Sequence, residues 1–369
     1  MKFTCEKDLL ISCINASQRA VSSKSLIPAL EGLLIEAKQS SVKITGFDME
    51  MGIVSEMACS VEKEGALILN AKIFGEIIRK LPNEEIYISS DEKLRTTIRS
   101  KTAEFTISGI KPEDYPELPK IDAEDNVTIS QARLKSAIGQ TLFAVSLNDA
   151  KPVHTGSLFE IKNGALHVIS VDGYRLALRK ETMVSKEDIS FIIPGKTLSE
   201  VEKILKADEE SNVTLQLTKK HVLFEIDNFI VISRLLEGDF LNYQNAIPQN
   251  SAIVSRVYVK ELIESVERAS LLISERNRNP IRMTVDDVSL VITCTTPLGH
   301  VHDEIQVEGN GGAIEIGFNN RYLLEALKAS DEEQVDLCFN TPLTPCVVRP
   351  IEGDSFLFLV LPVKLKSNE

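Results

Sequence analysis

The sequence predicts an α+β fold made of three tandem copies of one module, each with two helices and an antiparallel sheet. Two amphipathic helix patterns recur in each third of the chain. An apolar strand pattern precedes the second helix pattern, and an acidic turn followed by an alternating strand comes after it. Because these features recur in one order at nearly constant spacing, they indicate an internal repeat rather than chance similarity.

The first helix of each module carries apolar side chains at three- and four-residue steps, so each is expected to bury one face. We expect these helices near Lys7–Ala20, Gln131–Val145 and Val259–Leu272. The corresponding leucines are separated by 125 and 128 residues, at Leu9, Leu134 and Leu262.

The second half of each module repeats as well. Apolar strands are expected at Ala66–Leu69, Ile189–Ile193 and Ala313–Ile316. The helix after the first of these strands is predicted to bury Ile73, Phe74, Ile77 and Ile78. Phe74 matches Leu198 and Leu323 at steps of 124 and 125 residues, and the acidic turns fall at 83–85, 208–210 and 331–333.

The joins between modules are short, and the first is rich in proline, which favours extended backbone. The expected modules therefore span residues 1–120, 127–248 and 251–367. One helix from each half-module would pack on one face of an antiparallel sheet.

Composition limits the possible functions. The formal net charge of −13 argues against a broad basic surface, although lysines and arginines gather on or beside the six predicted helices. Tryptophan is absent and aromatics make up 5% of residues, which argues against base-stacking platforms. The six cysteines form no C-x-x-C pair and are expected to be buried, reduced thiols. Neither a membrane span nor a signal peptide is predicted, so a cytoplasmic location is expected.

The motifs of common catalytic sites are missing from the sequence. It contains no GxxxxGK[ST], GxGxxG or GxSxG pattern. His300 and His302 would share a strand face, but Asp303 would point the other way, so neither a metal nor a cofactor is expected. A non-enzymatic scaffold is therefore favoured over an enzyme with a site at a module junction.

Four sequence segments carry a resemblance to a known family. The most specific is Val171-Asp172-Gly173-Tyr174-Arg175-Leu176-Ala177, and the others are Leu236–Phe240 before Pro248, the C-terminal Leu361–Leu365, and Leu26–Leu30. With these segments the chain resembles the bacterial DNA sliding clamp family, the beta subunit of DNA polymerase III, over essentially its whole length.

The resemblance implies a head-to-tail homodimer that forms a ring, with helices lining the hole and sheets outside. Sequence-independent duplex DNA would pass through the hole, its phosphates contacted by lysine and arginine. Implied partners are the polymerase III alpha subunit, the clamp loader and other proteins with clamp-binding motifs. The alternative is a repeat-built protein-binding scaffold that does not encircle DNA.

The resemblance also implies site residues. DNA would be contacted by Lys24, Lys72, Asn148, Lys151 and the helix-borne Lys196. The dimer interface would use Phe105 and Ile107 of module one against Leu271 and Leu272 of module three. Leu241 and Asn245 depart from the common family pattern, at positions that bear on peptide preference. A peptide pocket between modules two and three would use His154, Val171, Gly173, Tyr174, Arg175, Leu176, Leu241, Asn245, Ala246, Leu343, Pro345, Leu359, Leu361, Pro362 and Val363.

Overall fold

The computed structural model describes residues 1–123, 125–148, 150–183, 188–274 and 279–365. The chain divides into two compact units. Unit 1 comprises Met1–Leu134 and Ser199–Leu235, and unit 2 comprises Lys135–Leu198 and the chain from Leu236 onward. The expected end of module three at residue 367 lies outside the described residues.

The six predicted helices are confirmed with slightly shorter bounds. In modules one and two a short 3-10 turn follows the first helix, at Gln18–Ala20 and Leu142–Ala144, where the sequence pattern had suggested one longer helix. The α-helices in the described chain are α1 (Lys7–Ser17), α2 (Ala71–Lys80), α3 (Gln131–Gly139), α4 (Gly195–Ile204), α5 (Val259–Ser270) and α6 (Asn320–Lys328).

The strands follow the module order. Module one contains β1 (Lys2–Glu6), β2 (Gly32–Lys38), β3 (Ser41–Phe47), β4 (Met51–Ala58), β5 (Ser60–Lys63), β6 (Gly65–Asn70), β7 (Glu85–Ser90), β8 (Arg95–Ser100) and β9 (Ala103–Ser108). Module two contains β10 (Asp125–Ser130), β11 (Gly156–Lys162), β12 (Ala165–Val171), β13 (Arg175–Thr182), β14 (Ile189–Pro194), β15 (Asn212–Leu217), β16 (His221–Ile226) and β17 (Phe229–Arg234). Module three contains β18 (Ile253–Tyr258), β19 (Ile281–Val285), β20 (Ser289–Thr296), β21 (Gly299–Gln306), β22 (Glu308–Gly309), β23 (Ile314–Phe318), β24 (Gln334–Phe339), β25 (Cys346–Pro350) and β26 (Phe356–Val360).

Unit 1 holds two antiparallel sheets. One has the order β5-β1-β7-β8-β9, and the other has the order β10-β15-β16-β17-β4-β3-β2-β6. The second sheet passes from module one to module two without a break, because β17 pairs with β4 and Phe229 lies opposite Ser55. Leu10 of α1 and Phe74 of α2 are fully buried in the module-one core.

The predicted burial of two residues on the helix faces, Leu9 and Ile73, is wrong. Leu9 is 45% exposed and Ile73 is 50% exposed. In α1 the buried residues include Leu10, Cys13 and Ile14, spaced by three and four residues, as the helical pattern predicts. Leu9 precedes Leu10 by one residue, which turns its side chain about 100° away from the buried stripe. An apolar residue next to a helical stripe therefore does not always belong to it.

Unit 2 repeats the same plan. Its larger sheet has the order β14-β11-β12-β13-β26-β25-β24-β18-β22, and its smaller sheet has the order β21-β20-β19-β23. Here β13 of module two pairs with β26 of module three, and Arg175 lies opposite Val360. Helices α5 and α6 bury Leu262 and Leu323 completely, and Asn320 Nδ2 of α6 donates to Ser270 Oγ of α5 at 2.7 Å.

The six cysteines are free, and five of them are buried while Cys59 is half-buried. Burial raises the pKa of the Cys5 thiol to about 12 and also raises the pKa of Cys346. These thiols therefore stay protonated and unreactive at neutral pH, as expected for structural cysteines. Within the described residues, no helix combines the length and apolar character that crossing a membrane requires.

Candidate functional site

The turn between β12 and β13 organises the predicted pocket. Asp172 Oδ1 accepts hydrogen bonds from the backbone nitrogens of Tyr174 at 2.9 Å and Arg175 at 3.1 Å. Gly173 adopts a φ of +90°, a conformation that favours glycine. Asp48 caps the turn before β4 in the same way, so the repeat extends to this turn.

Arg175 is buried at the β13–β26 junction and is 7% exposed. Its Nε donates to Asp172 Oδ2 at 3.0 Å, and its guanidinium also pairs with Glu325 of α6. The guanidinium carbon lies 4.6 Å from the ring centre of Tyr322 and 5.4 Å from that of Phe143. Arg175 therefore holds the turn against α6, with little of its surface open to a ligand.

Glu325 is ionised in this arrangement. Burial would raise the pKa of its carboxyl group, but hydrogen bonds from Arg321 and Arg175 outweigh that effect and lower the pKa below its ordinary value. The carboxylate thus carries a full charge at neutral pH, which strengthens its hydrogen bonds to both arginines.

The floor of the pocket is apolar. Val171, Leu176 and Leu359 are each at most 5% exposed and belong to one buried cluster with Tyr243. Leu176 lies directly opposite Leu359 on neighbouring strands, on the other face of β13 from Arg175 because side chains alternate along a strand. This face provides apolar contacts at the junction of modules two and three.

Two loops lie at the sides of the apolar floor of the pocket. The His154 ring lies 5.4 Å from the Phe240 ring at 66°, and burial together with Lys151 lowers the pKa of His154. The Tyr243 hydroxyl donates to Glu160 Oε2 at 2.8 Å. Burial and this carboxylate raise the pKa of Tyr243 to about 12. Tyr243 begins the 3-10 turn that presents the exposed Asn245 and Ala246.

The rim carries exposed apolar side chains: Leu241 is 44% exposed, Tyr174 59%, Leu343 71%, Leu361 36% and Val363 38%. The Leu361 nitrogen donates to the Tyr174 carbonyl oxygen at 2.8 Å, which brings the C-terminal segment beside the β12–β13 turn. Leu343 and Val363 line a cavity of about 500 Å³ that continues along this segment. These exposed apolar side chains form a surface suited to contact with leucine and phenylalanine side chains of a bound peptide.

The structure thus brings most of the predicted pocket residues to one region of unit 2, while Pro345 and Pro362 are half-buried beside it. Phe240 and Tyr243 of the cluster were not predicted from the sequence as pocket residues. Neither was Tyr322, which stacks on Tyr174 at 5.7 Å between ring centres. Phe240 and Tyr243 are the two aromatic residues in the short segment that joins modules two and three, and their presence there could have indicated a role in the pocket.

All five predicted DNA-contacting residues are exposed. Lys24 lies in the loop before a 3-10 turn that begins with Pro28, and Asn148 and Lys151 lie in the matching loop before Pro152.

A cation also repeats at the second residue of the second helix in each module. These residues are Lys72 in α2, Lys196 in α4 and Arg321 in α6. Arg321 was not predicted as a DNA contact, although the same spacing that relates the helices of the three modules indicates it. Positive side chains near helix N-termini suit a phosphate-bearing ligand.

The predicted dimer residues lie at sheet edges and helix ends. Phe105 of β9 is 41% exposed and Ile107 packs at the margin of the module-one core. Leu271, just after α5, is 82% exposed, and Leu272 follows it half-buried. Strand β9 ends one sheet of unit 1, and β21 ends one sheet of unit 2.

Comparison with known proteins covers the whole repeat. Models of the DNA polymerase III beta subunit match residues 1–119 as its N-terminal domain, 128–242 as its central domain and 244–364 as its C-terminal domain. The chain belongs to the DNA polymerase III beta subunit family. Members of this family are sliding clamps, which are non-catalytic processivity factors.

Individual relatives agree with that assignment. The clamp is 34% identical over 378 residues to the beta sliding clamp of Staphylococcus aureus, with 99% of each chain covered. A putative beta subunit from Eubacterium rectale is 34% identical with a TM-score of 0.93, covering 98% of this chain and 99% of its own. The sliding clamp of Bacillus subtilis is 32% identical with a TM-score of 0.94, covering 99% and 100%.

Proposed function

We propose that this clamp encircles duplex DNA as a homodimeric ring and tethers the replicative polymerase for processive synthesis. The observation that carries this proposal is the match of all three beta-subunit domains in order along one chain. The exposed cations that recur in equivalent positions support it, since phosphate contacts without base recognition suit sliding. We take the modules as residues 1–120, 127–248 and 251–367.

The same proposal assigns DNA contacts to Lys24, Lys72, Asn148, Lys151 and Lys196. These contacts are exposed and sequence-independent, so binding should weaken as salt concentration rises. The cytoplasm, where a bacterial chromosome is copied, is the location that goes with this role. The polymerase alpha subunit and the clamp loader are the partners that the family leads us to expect.

Retention on DNA of defined topology tests encirclement. After loading, the clamp should remain on a nicked circle during gel filtration and should be lost within minutes once that circle is cut to a line with free ends. A scaffold that binds DNA or protein without encirclement would show equal retention on both forms, and that result would refute the proposal.

The pocket of unit 2 is proposed as the docking site for partner peptides. Its support is a buried apolar floor at Leu176 and Leu359 with exposed apolar side chains around it. A peptide that carries leucine and phenylalanine anchors matches this composition.

Changing one rim residue tests the pocket without disturbing the core. Leu343→Asp should weaken binding of a clamp-binding peptide by more than about tenfold, because the anchor would lose apolar contact and meet a charge. The matched control is Val288→Asp, which replaces a 70%-exposed side chain in the β19–β20 turn. Equal peptide affinity of the two variants in a fluorescence anisotropy titration would overturn the assignment.

A further inference from the structure

Glu325 of α6 lies between two arginines that belong to different surfaces of unit 2. Its Oε1 accepts a hydrogen bond from Arg321 Nε at 2.8 Å, one helical turn earlier on α6. Its Oε2 accepts from Arg175 Nη1, at the β12–β13 turn beside the pocket. The side chain of Arg321 is 67% exposed, whereas that of Arg175 is 7% exposed. One carboxylate therefore joins a cation that is open to solvent with a cation that is buried beneath the pocket.

The contact between Arg321 and Glu325 is the more easily exchanged of the two. Solvent and salt screen an ion pair with so exposed a cation, so the pair contributes little. Its order along the helix is also the less favourable one, since an acidic residue before a basic residue suits the helix dipole better. Arg321 is the second residue of α6, where the positive end of the helix favours an anion. A phosphate near this helix end would therefore compete well for Arg321.

The contact between Glu325 and Arg175 reaches the pocket in two short steps. Arg175 Nε donates to Asp172 Oδ2 at 3.0 Å, and Asp172 Oδ1 accepts from the Tyr174 nitrogen at 2.9 Å. Tyr174 is 59% exposed on the rim, and its carbonyl oxygen accepts from the Leu361 nitrogen at 2.8 Å. The charge of Glu325 thus bears on the position of a rim side chain and of the C-terminal segment beside it.

The repeat shows which part of this arrangement is specific to unit 2. A carboxylate occurs at the sixth residue of the second helix in each module, at Glu76, Glu200 and Glu325. In unit 1, Glu200 pairs with Arg19 of module one at 3.5 Å, away from any strand of the sheet. The eight-residue strands β4, β13 and β21 recur at equal spacing, and they begin at Met51, Arg175 and Gly299. Module two alone therefore has a charged residue at this strand position, where it can connect the helix carboxylate to a turn.

We propose that Glu325 couples DNA in the ring to the peptide pocket. A backbone phosphate of duplex DNA takes Arg321 from Glu325, both oxygens of the carboxylate then serve Arg175, and the β12–β13 turn is held more firmly in its peptide-binding position. Partner peptides therefore bind more tightly to the clamp on DNA than to the free clamp. The inference rests on the proposed function, and it adds a control of the pocket by DNA that encirclement and peptide docking do not specify.

The direction and size of the coupling follow from the contacts. Loss of Arg321 frees one oxygen of Glu325, and two oxygens on one guanidinium bind it more strongly than one. A ligand shifts an equilibrium only by its different affinity for the two states, so the coupling is limited to the contribution of an exposed ion pair, about threefold in an equilibrium constant. Because coupling between two sites is reciprocal, bound peptide should strengthen DNA binding by the same factor.

The affinity of the free and the DNA-loaded clamp for one peptide measures the coupling. A fluorescent synthetic peptide with leucine and phenylalanine anchors would be titrated with free clamp, and with clamp loaded on nicked circles and purified by gel filtration. Fluorescence anisotropy should show binding about threefold tighter on the circles. Equal affinity in the two states would overturn the inference.

Two variants that each remove one cation separate this route from other effects of DNA. Arg321→Met leaves Glu325 to Arg175 permanently, so the free variant should already bind the peptide about threefold more tightly and gain nothing further on DNA. Lys72→Met is the matched control, because Lys72 is the exposed second residue of α2. It leaves Arg321 in place, so peptide affinity should still rise about threefold on the circles. A full response in Arg321→Met, or a lost response in Lys72→Met, would contradict the proposed route.

A third variant removes the carboxylate that both arginines share. Glu325→Gln cannot form an ion pair with either arginine, so its peptide affinity should fall below that of the unmodified clamp and should not change on DNA. A threefold rise on the circles in this variant would also refute the coupling. A clamp that is retained on nicked circles without any change in peptide affinity refutes the coupling alone, whereas a clamp that is lost from nicked circles refutes the proposed function.

Discussion

Arg175→Met should destabilise unit 2 by about 3 kcal/mol. The arginine is 7% exposed, and its two acidic partners, Asp172 and Glu325, have side chains 12% and 29% exposed. Removing one member of a buried pair leaves an uncompensated charge at a cost of about 3–5 kcal/mol, and we take the lower end because Arg321 still pairs with Glu325. Methionine keeps much of the apolar volume, so lost packing adds little.

Urea unfolding measures this loss, and amide hydrogen exchange in β13 and β26 should locate it. The control is Arg321→Met, which removes the other cation from Glu325 but starts from a side chain that is 67% exposed. We expect that variant to lose less than about 1 kcal/mol. The reasoning would be refuted if Arg175→Met stayed within 1 kcal/mol of the unmodified clamp, or if the control cost as much.

Three further variants or measurements test other parts of the structure. An unfolded tyrosine loses its proton near pH 10, whereas Tyr243 keeps it until about pH 12, so its contribution to stability is complete below pH 10 and lost towards pH 12. Tyr243→Phe should cost about 1 kcal/mol at pH 7 and flatten that alkaline decline in urea titrations. Gly46→Ala should cost about 3 kcal/mol in the same assay, because a Cβ at Gly46 would lie 1.9 Å from the Ser17 carbonyl oxygen, and a cost near zero would show that the backbone relaxes freely. A charged thiol reagent at pH 8 should label the half-buried Cys59 first and Cys346 only after unfolding, and equal labelling by mass spectrometry would contradict the burial of Cys346.

The sequence alone predicts the elements of this clamp well. Helix faces such as the one that includes Phe74 and Ile78 depend on local spacing, and local spacing is written in the sequence. The exceptions are Leu9 and Ile73, each of which directly precedes a buried residue. Where two apolar residues are adjacent, the sequence pattern does not decide which of them faces the core.

The contacts that build the pocket could not be predicted in the same way. Arg175 and Glu325 are 150 residues apart, and Tyr243 and Glu160 are 83 residues apart. No short pattern relates such positions, so the family resemblance assigned Arg175 to the pocket without showing that it is buried beneath it. The order of strands within a sheet poses the same difficulty, since β4 meets β17 only through folding.

The β4–β17 pairing has a consequence for work with fragments. A chain cut near residue 120 would keep β4 but lose β17, so five paired positions along β4 would become an open edge. Ile53 is fully buried in the intact clamp. In the fragment it would lie on an unpaired strand edge, which can pair with a strand of another chain. The truncated first module is therefore expected to aggregate at concentrations where the intact chain does not. Since unit 1 draws on two separate stretches of sequence, no single cut releases it whole, and fragment studies would need the second stretch supplied by co-expression.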